Sequence, residues 1–369
     1  MKIVFLTRGL MRGGAERQLA LLACGLAVRG HQVAVLTFYP GGAFLAELAA
    51  ADVRVINLGK TGRWDLIGFW WRLIRTVRGL KPDVLHSYLA VPNVLAALLR
   101  PFVKPSKIVW GIRSSNMDLA LYDRLSGYAY RVERLLSGLP DMIICNSAAG
   151  KDFAVKRGYP AAKFTIIPNG IDTGAFRFDQ SGRERLRRDW SIADGTLLVG
   201  VVARYDPMKD HQNFLAAAEQ VAARRDDVRF VCIGDGIESL SETALAGVLG
   251  SRLLCLPASD EVAAVYSALD IVCSSSISGE GFSNSIAEAM ACARTCVVTE
   301  VGDSAWIVAG AGLSVAPGNS PALAEGIVAA LDGNLAETGA KSRERIVLHF
   351  SLEALVRSSE RAFAGGYQD

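Results

Sequence analysis

At 369 residues the chain is too long for one ordinary core and suits two domains of about 150–200 residues each. With 51% hydrophobic and 21% charged residues, the composition is that of a packed globular protein and excludes a disordered one. The net charge of +3 hides a split, with 23 Lys and Arg against 10 Asp and Glu through Gly170 (+13) and 17 against 27 beyond it (−10). A first half so basic points to an anionic partner. No nucleic-acid recognition motif accompanies it, so nucleic acid is set aside and a membrane surface or an acidic acceptor fits better.

Short β-branched runs alternate with longer helical patterns, the signature of a parallel α/β architecture. The opening MKIVFLT is one short apolar run before Arg8, without the longer apolar core or small-residue cleavage site of a signal peptide, and reads as a strand. A strand Ile3–Thr7 leads to a helix Ala15–Val28 stopped at Gly30, then a strand Gln32–Phe38. Further strands are expected at Val53–Asn57, Val84–His86, Ile108–Ile112, Met142–Cys145 and Phe164–Ile167. The pattern then restarts: strand Leu197–Ala203, a helix after His211, strand Arg229–Ile233, a helix near Leu240–Leu249, and strands Leu253–Leu256 and Ile271–Ser274. A helix after Ser283 and a strand Thr295–Thr299 follow. Two successive α/β units joined near Pro168-Asn169-Gly170 predict two doubly wound domains with a cleft between them, and the helical pattern Leu352–Ala364 is expected to pack back onto the first.

No stretch reaches the ~20 uninterrupted apolar residues of a membrane span, so the reading is of a protein neither exported nor integral to a membrane. Seven cysteines without a C-x-x-C pair, mostly in apolar surroundings, read as reduced thiols of a cytoplasmic protein. Four histidines without metal-ligand spacing argue against a structural zinc site. The segment from Arg63 to Lys81 sets Trp64, Phe69, Trp70 and Trp71 beside Arg63, Arg72, Arg75, Arg78 and Lys81. Two readings stand for it: an amphipathic helix that covers the sheet, or a basic-aromatic face that docks on anionic lipid.

Three loops carry chemistry. In RGLMRGGAER, Gly9, Gly13 and Gly14 precede a helix, where backbone N–H groups and the helix N-terminus favour negative charge. The spacing is not G-x-G-x-x-G, and no ribose-binding acid ends the next strand, which sets aside a dinucleotide oxidoreductase. In GVVARYDPMKDH, Arg204 follows directly on a strand and Lys209 lies five residues later. Ligands of open α/β sheets bind beyond the carboxyl ends of strands, and two cations there can grip a diphosphate. In E-G-F-S-N-S-I-A-E, Gly281 and Phe282 turn the chain, Ser283 or Asn284 caps a helix whose N-terminus faces phosphate, Glu288 accepts from a ribose diol, and Glu280 lies outside the helix toward the sugar.

These motifs resemble those of the large retaining glycosyltransferase family of the GT-B fold that carries the E-x7-E motif, the family of many bacterial polysaccharide, lipopolysaccharide and glycolipid enzymes. The likeness covers nearly the whole chain, in order: GGAER, PDVLHS (Pro82–Ser87), IIPNGID (Ile166–Asp172), the Arg204/Lys209 pair, IGDG (Ile233–Gly236) and EGFSNSIAEAMA. It implies two Rossmann-like doubly wound domains facing a central cleft. An acceptor domain spans 1–172, joined by a C-terminal helix at 350–369, and a donor domain spans 173–349. The donor implied is a nucleoside-diphosphate sugar, taken as UDP-linked, and the acceptor a saccharide or lipid-linked saccharide. By the same likeness Arg204 and Lys209 bind the diphosphate, Glu288 the ribose, and Glu280 faces the donor sugar with a catalytic role. Gly13, Gly14, Gly281, Phe282, Ser283 and Asn284 complete the donor site, with Gly234 and Gly236 at the base pocket before Val262. The acceptor side is expected to include Gly14, Glu16, Arg17, His86, Tyr88 and Arg113.

Two departures stand out. Many members carry histidines where this chain has Tyr88 and Arg113, which leaves the sugar and acceptor open and leaves His86 either a contact or a structural core histidine. Arg113 is either the seat of an anionic group or an ion-paired residue. No D-x-D metal motif is present, so no metal or other cofactor is expected, and Arg204, Lys209 and the helix dipole stabilise the leaving diphosphate. Retention then follows, by resemblance, a same-face attack assisted by the leaving phosphate. A nucleotide-sugar epimerase of the same fold and a non-catalytic nucleotide-sugar-binding protein are the alternatives. The expected location is cytoplasmic, with docking on the inner face of the cell membrane if the acceptor is lipid-linked.

Overall fold

A computed structural model describes residues 1–62, 64–103, 107–113, 124–238, 240 and 249–366. Arg63, the Ser114–Asn116 end of GIRSSN and residues 241–248 of the helix expected near Leu240–Leu249 lie outside the described residues. The chain divides into two units: Met1–Gly170 with Leu352–Asp369, and Ile171–Ser351. These boundaries fall within two residues of the expected 172/173 and 349/350. The physical reason for the difference is local. The Ile171 N–H donates to the Phe350 carbonyl at 2.8 Å, and Ile171 bridges Ser351, so Ile171 and Asp172 go with the second unit.

In the first unit the apolar runs become β1 (Lys2–Thr7), β2 (Gln32–Thr37), β3 (Arg54–Asn57), β4 (Val84–Tyr88), β5 (Lys107–Ile112), β6 (Met142–Cys145) and β7 (Phe164–Ile166). They lie parallel in the order 3-2-1-4-5-6-7, the doubly wound arrangement that starts in the middle and winds outward both ways. Such a sheet is covered on both faces, which is why its strands read as continuous apolar runs rather than alternating ones. One face packs Phe69, Leu73 and Trp110; the other packs Leu19, Leu22 and the C-terminal helix. That helix, Leu352–Ala364, returns to the first unit as expected and packs against the helix Gly14–Val28. Its Glu360 carboxylate pairs with Arg29 and His31, each at 2.8 Å, and Lys107 Nζ donates to the Ala362 carbonyl at 2.7 Å.

The basic-aromatic segment forms a helix, Ile67–Leu80. Phe69, Leu73, Ile74 and Val77 face the core, so this helix does cover the sheet. Its entry nevertheless leaves Trp64 84% and Trp71 64% exposed, with Leu66 and Ile67 also outside. Arg72 is engaged with the Asp65 carboxylate and the Leu58 carbonyl, while Arg75 and Arg78 are exposed.

The second unit repeats the same order with β8 (Leu197–Val202), β9 (Val228–Ile233), β10 (Leu253–Leu256), β11 (Ile271–Ser274), β12 (Thr295–Thr299) and β13 (Gly312–Val315), arranged 10-9-8-11-12-13 and all parallel. β13 is an edge strand that the sequence reading did not include, and its Leu313 and Ser314 are exposed. Small shifts matter at two ends. β4 runs on to Tyr88, and β8 stops at Val202, releasing Ala203 and Arg204 into the loop that follows.

Candidate active site

The loop after β8 is built to hold cations at the carboxyl end of the sheet. The Ala203 N–H still pairs with the Ile233 carbonyl at 2.9 Å, and Tyr205 N–H donates to the Asp235 carbonyl at 2.7 Å. This approach is possible because residue 234 is glycine; a Cβ there would overlap the Ala203 carbonyl. Asp206 turns the chain by accepting from Met208 N–H at 3.0 Å and binds Arg204 Nη2 at 2.7 Å. Burial works to raise the Asp206 pKa, but the Met208 N–H and the Arg204 charge outweigh it and hold the carboxyl below its ordinary range. Arg204 itself keeps 61% of its side chain exposed. A single 3-10 turn, Pro207–Lys209, then presents Lys209.

Lys209 and Glu280 meet. The ammonium and the Glu280 carboxylate lie 2.5 Å apart, with side chains 24% and 11% exposed, and Ser276 Oγ donates to the same carboxylate oxygen at 2.8 Å. Ser275 Oγ donates to the Lys209 carbonyl and Ile277 N–H to the Met208 carbonyl, tying the two loops together. Gly302, at φ +61°, lies so close beneath the Glu280 carbonyl that a Cβ would overlap it, and Asp303 N–H donates to the Gly281 carbonyl at 2.9 Å. No sequence signal announced this pair, whose members stand 71 residues apart.

Two hollows adjoin at this point. One of about 160 Å³ is lined by Arg204, Met208, Lys209, Ser278, Gly279 and Glu280. Another, about 180 Å³, has Val202, Ile233, Val262 and Val265 with Gly234, Asp235 and Ser259 in its wall. Arg204 lines both. A slot with an apolar wall and a slot with an ammonium and a carboxylate thus share Arg204. Gly234 is in the apolar slot's wall, and Gly236 follows two residues on.

The helix after the second motif runs Asn284–Ala291. Its first N–H groups lack intrahelical acceptors and its N-terminus carries partial positive charge. Ser283 is the capping residue, as one of the two expected, but its hydroxyl makes no cap bond and lies 3.4 Å from Ser285 Oγ. The Phe282 ring is 5% exposed and packs in the core, 5.4 Å from Phe350. Glu288 sits one turn in, buried, and accepts from the Tyr266 phenol at 3.2 Å. Burial above all, with the Glu288 charge, pushes that phenol's pKa well up.

In the first unit Gly13 is extended and Gly14 opens the first helix, with Glu16 folded back over Gly13 and Arg17 N–H donating to the Gly13 carbonyl at 3.0 Å. Gln18, which the sequence reading passed over, is buried and clamps Gly170 with two bonds, Nε2 to carbonyl at 3.0 Å and N–H to Oε1 at 2.9 Å. Its one sequence signal is an amide directly before the apolar run Leu19–Ala23. Of the two readings of His86, the structure has the core histidine. It is fully buried among Phe5, Tyr88 and Phe363, neither ring nitrogen has a partner, and burial followed by the Arg113 charge holds it neutral. Tyr88 is only 1% exposed, and its hydroxyl accepts from Arg113 rather than lying open.

Among the described residues no group of three or more His, Cys, Asp and Glu side chains could hold a metal ion, and no helix is long and apolar enough to cross a membrane.

The profile of Glycosyltransferase Family 4 matches residues 12–175, and that of Glycosyl transferases group 1 matches residues 196–333. A GDP-mannose-dependent alpha-mannosyltransferase of Mycobacterium tuberculosis is 29% identical over 244 residues, covering 63% of this chain and 59% of that enzyme. The aligned region thus spans about three fifths of that relative's length. Among solved structures, Anabaena Alr3699/HepE in complex with UDP superposes with a TM-score of 0.84 at 21% identity, covering 99% of this chain and 100% of that one. WaaG, a glycosyltransferase involved in lipopolysaccharide biosynthesis, gives 0.71 at 16% identity over 99% and 100%. With one glycosyltransferase profile on each sheet and the whole-chain fold shared with these structures, the chain belongs to the glycosyltransferases of the GT-B fold.

Proposed function

We propose that the protein transfers a sugar, with retention of its anomeric configuration, from a UDP-linked sugar to a saccharide or lipid-linked saccharide acceptor in surface polysaccharide, lipopolysaccharide or glycolipid synthesis. The observation that carries the reading is Arg204, which lines both the apolar hollow and the one that holds Lys209 and Glu280. A base in the first hollow puts its diphosphate on Arg204 and Lys209, whose charges stabilise the leaving group as the glycosidic bond breaks, without a metal. Glu280 gives up Lys209 to the phosphate and faces the sugar as positive charge develops on it. No second carboxylate pairs with Glu280 in this hollow's lining, which favours a same-face route over a covalent sugar intermediate.

UDP is preferred because HepE, the neighbour with the TM-score of 0.84, holds UDP, whereas the mannosyltransferase relative is named for GDP-mannose. A thermal-shift comparison of UDP, GDP and their sugars tests the reading, since a ligand that binds only the folded state raises its stability. Stabilisation by UDP but not GDP is the expected result; stabilisation by neither overturns it. The basic first half and the exposed Trp64, Leu66, Ile67 and Trp71 beside Arg75 and Arg78 support a cytoplasmic enzyme that docks reversibly on the inner membrane face.

A further inference from the structure

Arg113 stands where β5 ends, beside the end of β4, at the carboxyl edge of the first unit's sheet. Open parallel sheets bind ligands at that edge. Its guanidinium is held by three contacts: Nη2 donates to Tyr88 Oη at 2.6 Å, Nη1 donates to Asn169 Oδ1 at 3.3 Å, and its central carbon lies 4.6 Å from the Tyr88 ring centre. Both oxygens it meets are neutral. Burial raises the Tyr88 pKa against the pull of Arg113, so the phenol keeps its proton and supplies no charge. His86 behind it is held neutral as well.

Arg113 makes no ion pair with any carboxylate among the described residues. Of the five N–H groups of a guanidinium, two are used by described residues, and Nε is buried with no acceptor among them. A cation drawn partly out of water is ordinarily neutralised by an acid, because desolvating an unpaired charge is costly. Among the described residues the side chain is held in place by neutral groups and meets no anion. The low polarity of the buried Tyr88 and His86 around it strengthens attraction for any anion that arrives.

We propose that Arg113 is the seat of an anionic group, a carboxylate or a phosphate, carried by the acceptor saccharide. This rests on the reading of the first unit as the acceptor side. Tyr88 and Asn169 are then positioning residues that fix the guanidinium, and the basic first half steers such an acceptor toward it.

The test is equilibrium binding to the full-length protein saturated with UDP, using three probes: methyl glucuronoside for the carboxylate, glucose 6-phosphate for the phosphate and methyl glucoside as the neutral control. Wild type is expected to bind at least one anion tenfold or more tightly than the neutral sugar. Arg113→Gln should abolish that preference and Arg113→Lys should keep part of it, since Lys retains the charge but not the fork. Thermal unfolding of both variants checks the fold, and Arg113→Lys carries the comparison if the Gln variant unfolds. Which anion responds separates carboxylate from phosphate. Equal affinity for charged and neutral probes in wild type, or an anion preference untouched by both substitutions, overturns the proposal. Failure of UDP to bind wild type would sink the donor assignment and leave the dependence of the anion on Arg113 standing by itself.

Discussion

Lys209 is asked to do two things, and a double-mutant cycle separates them. In the free protein its ammonium is a partner of a carboxylate only 11% exposed; in the reaction its charge belongs on the leaving diphosphate. Lys209→Met removes a charge-assisted contact of about 1.5–3 kcal/mol, so stability should fall by roughly that amount. Adding Glu280→Gln replaces the stranded carboxylate by a neutral amide that Ser276 can still reach, and most of the stability should return. Turnover should not. If Lys209 acts on phosphate, losing it costs about 10- to 150-fold in rate whether residue 280 is Glu or Gln. The assay is nucleoside diphosphate release from the donor sugar, with urea unfolding run on the same four proteins. Turnover of Lys209→Met within twofold of wild type would refute the assignment. So would a Lys209→Met change that adds nothing to Glu280→Gln, since Lys209 would then act only through its partner.

Glu288→Gln should raise the donor Michaelis constant with little change in turnover, because a ribose contact exists in both ground and transition states; steady-state kinetics against donor concentration reads this. Glu133, buried where Asn93 and Tyr159 donate to its carboxylate, has a pKa raised by burial against the pull of those bonds. The folded state therefore holds its proton longer than the unfolded one, so this residue's contribution to stability declines as pH climbs from the ordinary glutamate range toward the raised value. Glu133→Gln should flatten that decline in urea melts taken at intervals from pH 4 to 7, and an unchanged slope would count against it. Co-sedimentation with liposomes of acidic lipid should capture wild type at low salt and release it at high salt. A Trp64→Ser, Trp71→Ser, Arg75→Gln, Arg78→Gln variant should stay in solution, and equal binding by that variant would assign the exposed face another purpose.

The fold was legible because both sheets are parallel and covered on both faces, so runs such as Leu197–Val202 carry little polar interruption and end where loops begin. The same covering decides the place of single residues. His86 looked like chemistry at a strand end, yet β4 is central and the C-terminal helix brings Phe363 over its ring, a contact between residues far apart in sequence. Phe282 stands inside a binding motif, and its ring packs in the core against Phe350. β13 was missed because an exposed edge strand lacks the apolar run that marks a central one. The cations after β8 were visible from the strand end alone, while their acids were not: Asp206 was close by and unremarked, and Glu280 reaches Lys209 only through the folding of distant loops.

The return of Leu352–Ala364 to the first sheet sets an order of assembly. Ile171–Ser351 is continuous and can close its own core as it leaves the ribosome, whereas the first unit lacks one wall until the last helix has been made. At ~5–20 residues per second the intervening stretch takes about 9–36 s to translate. Through that interval Leu19, Leu22 and their neighbours wait for Leu355, Val356 and Phe363, with Arg29 and His31 lacking Glu360. The part of the molecule made first is thus completed last. A chain truncated before residue 352 would present an unfinished apolar face that invites chaperones or aggregation.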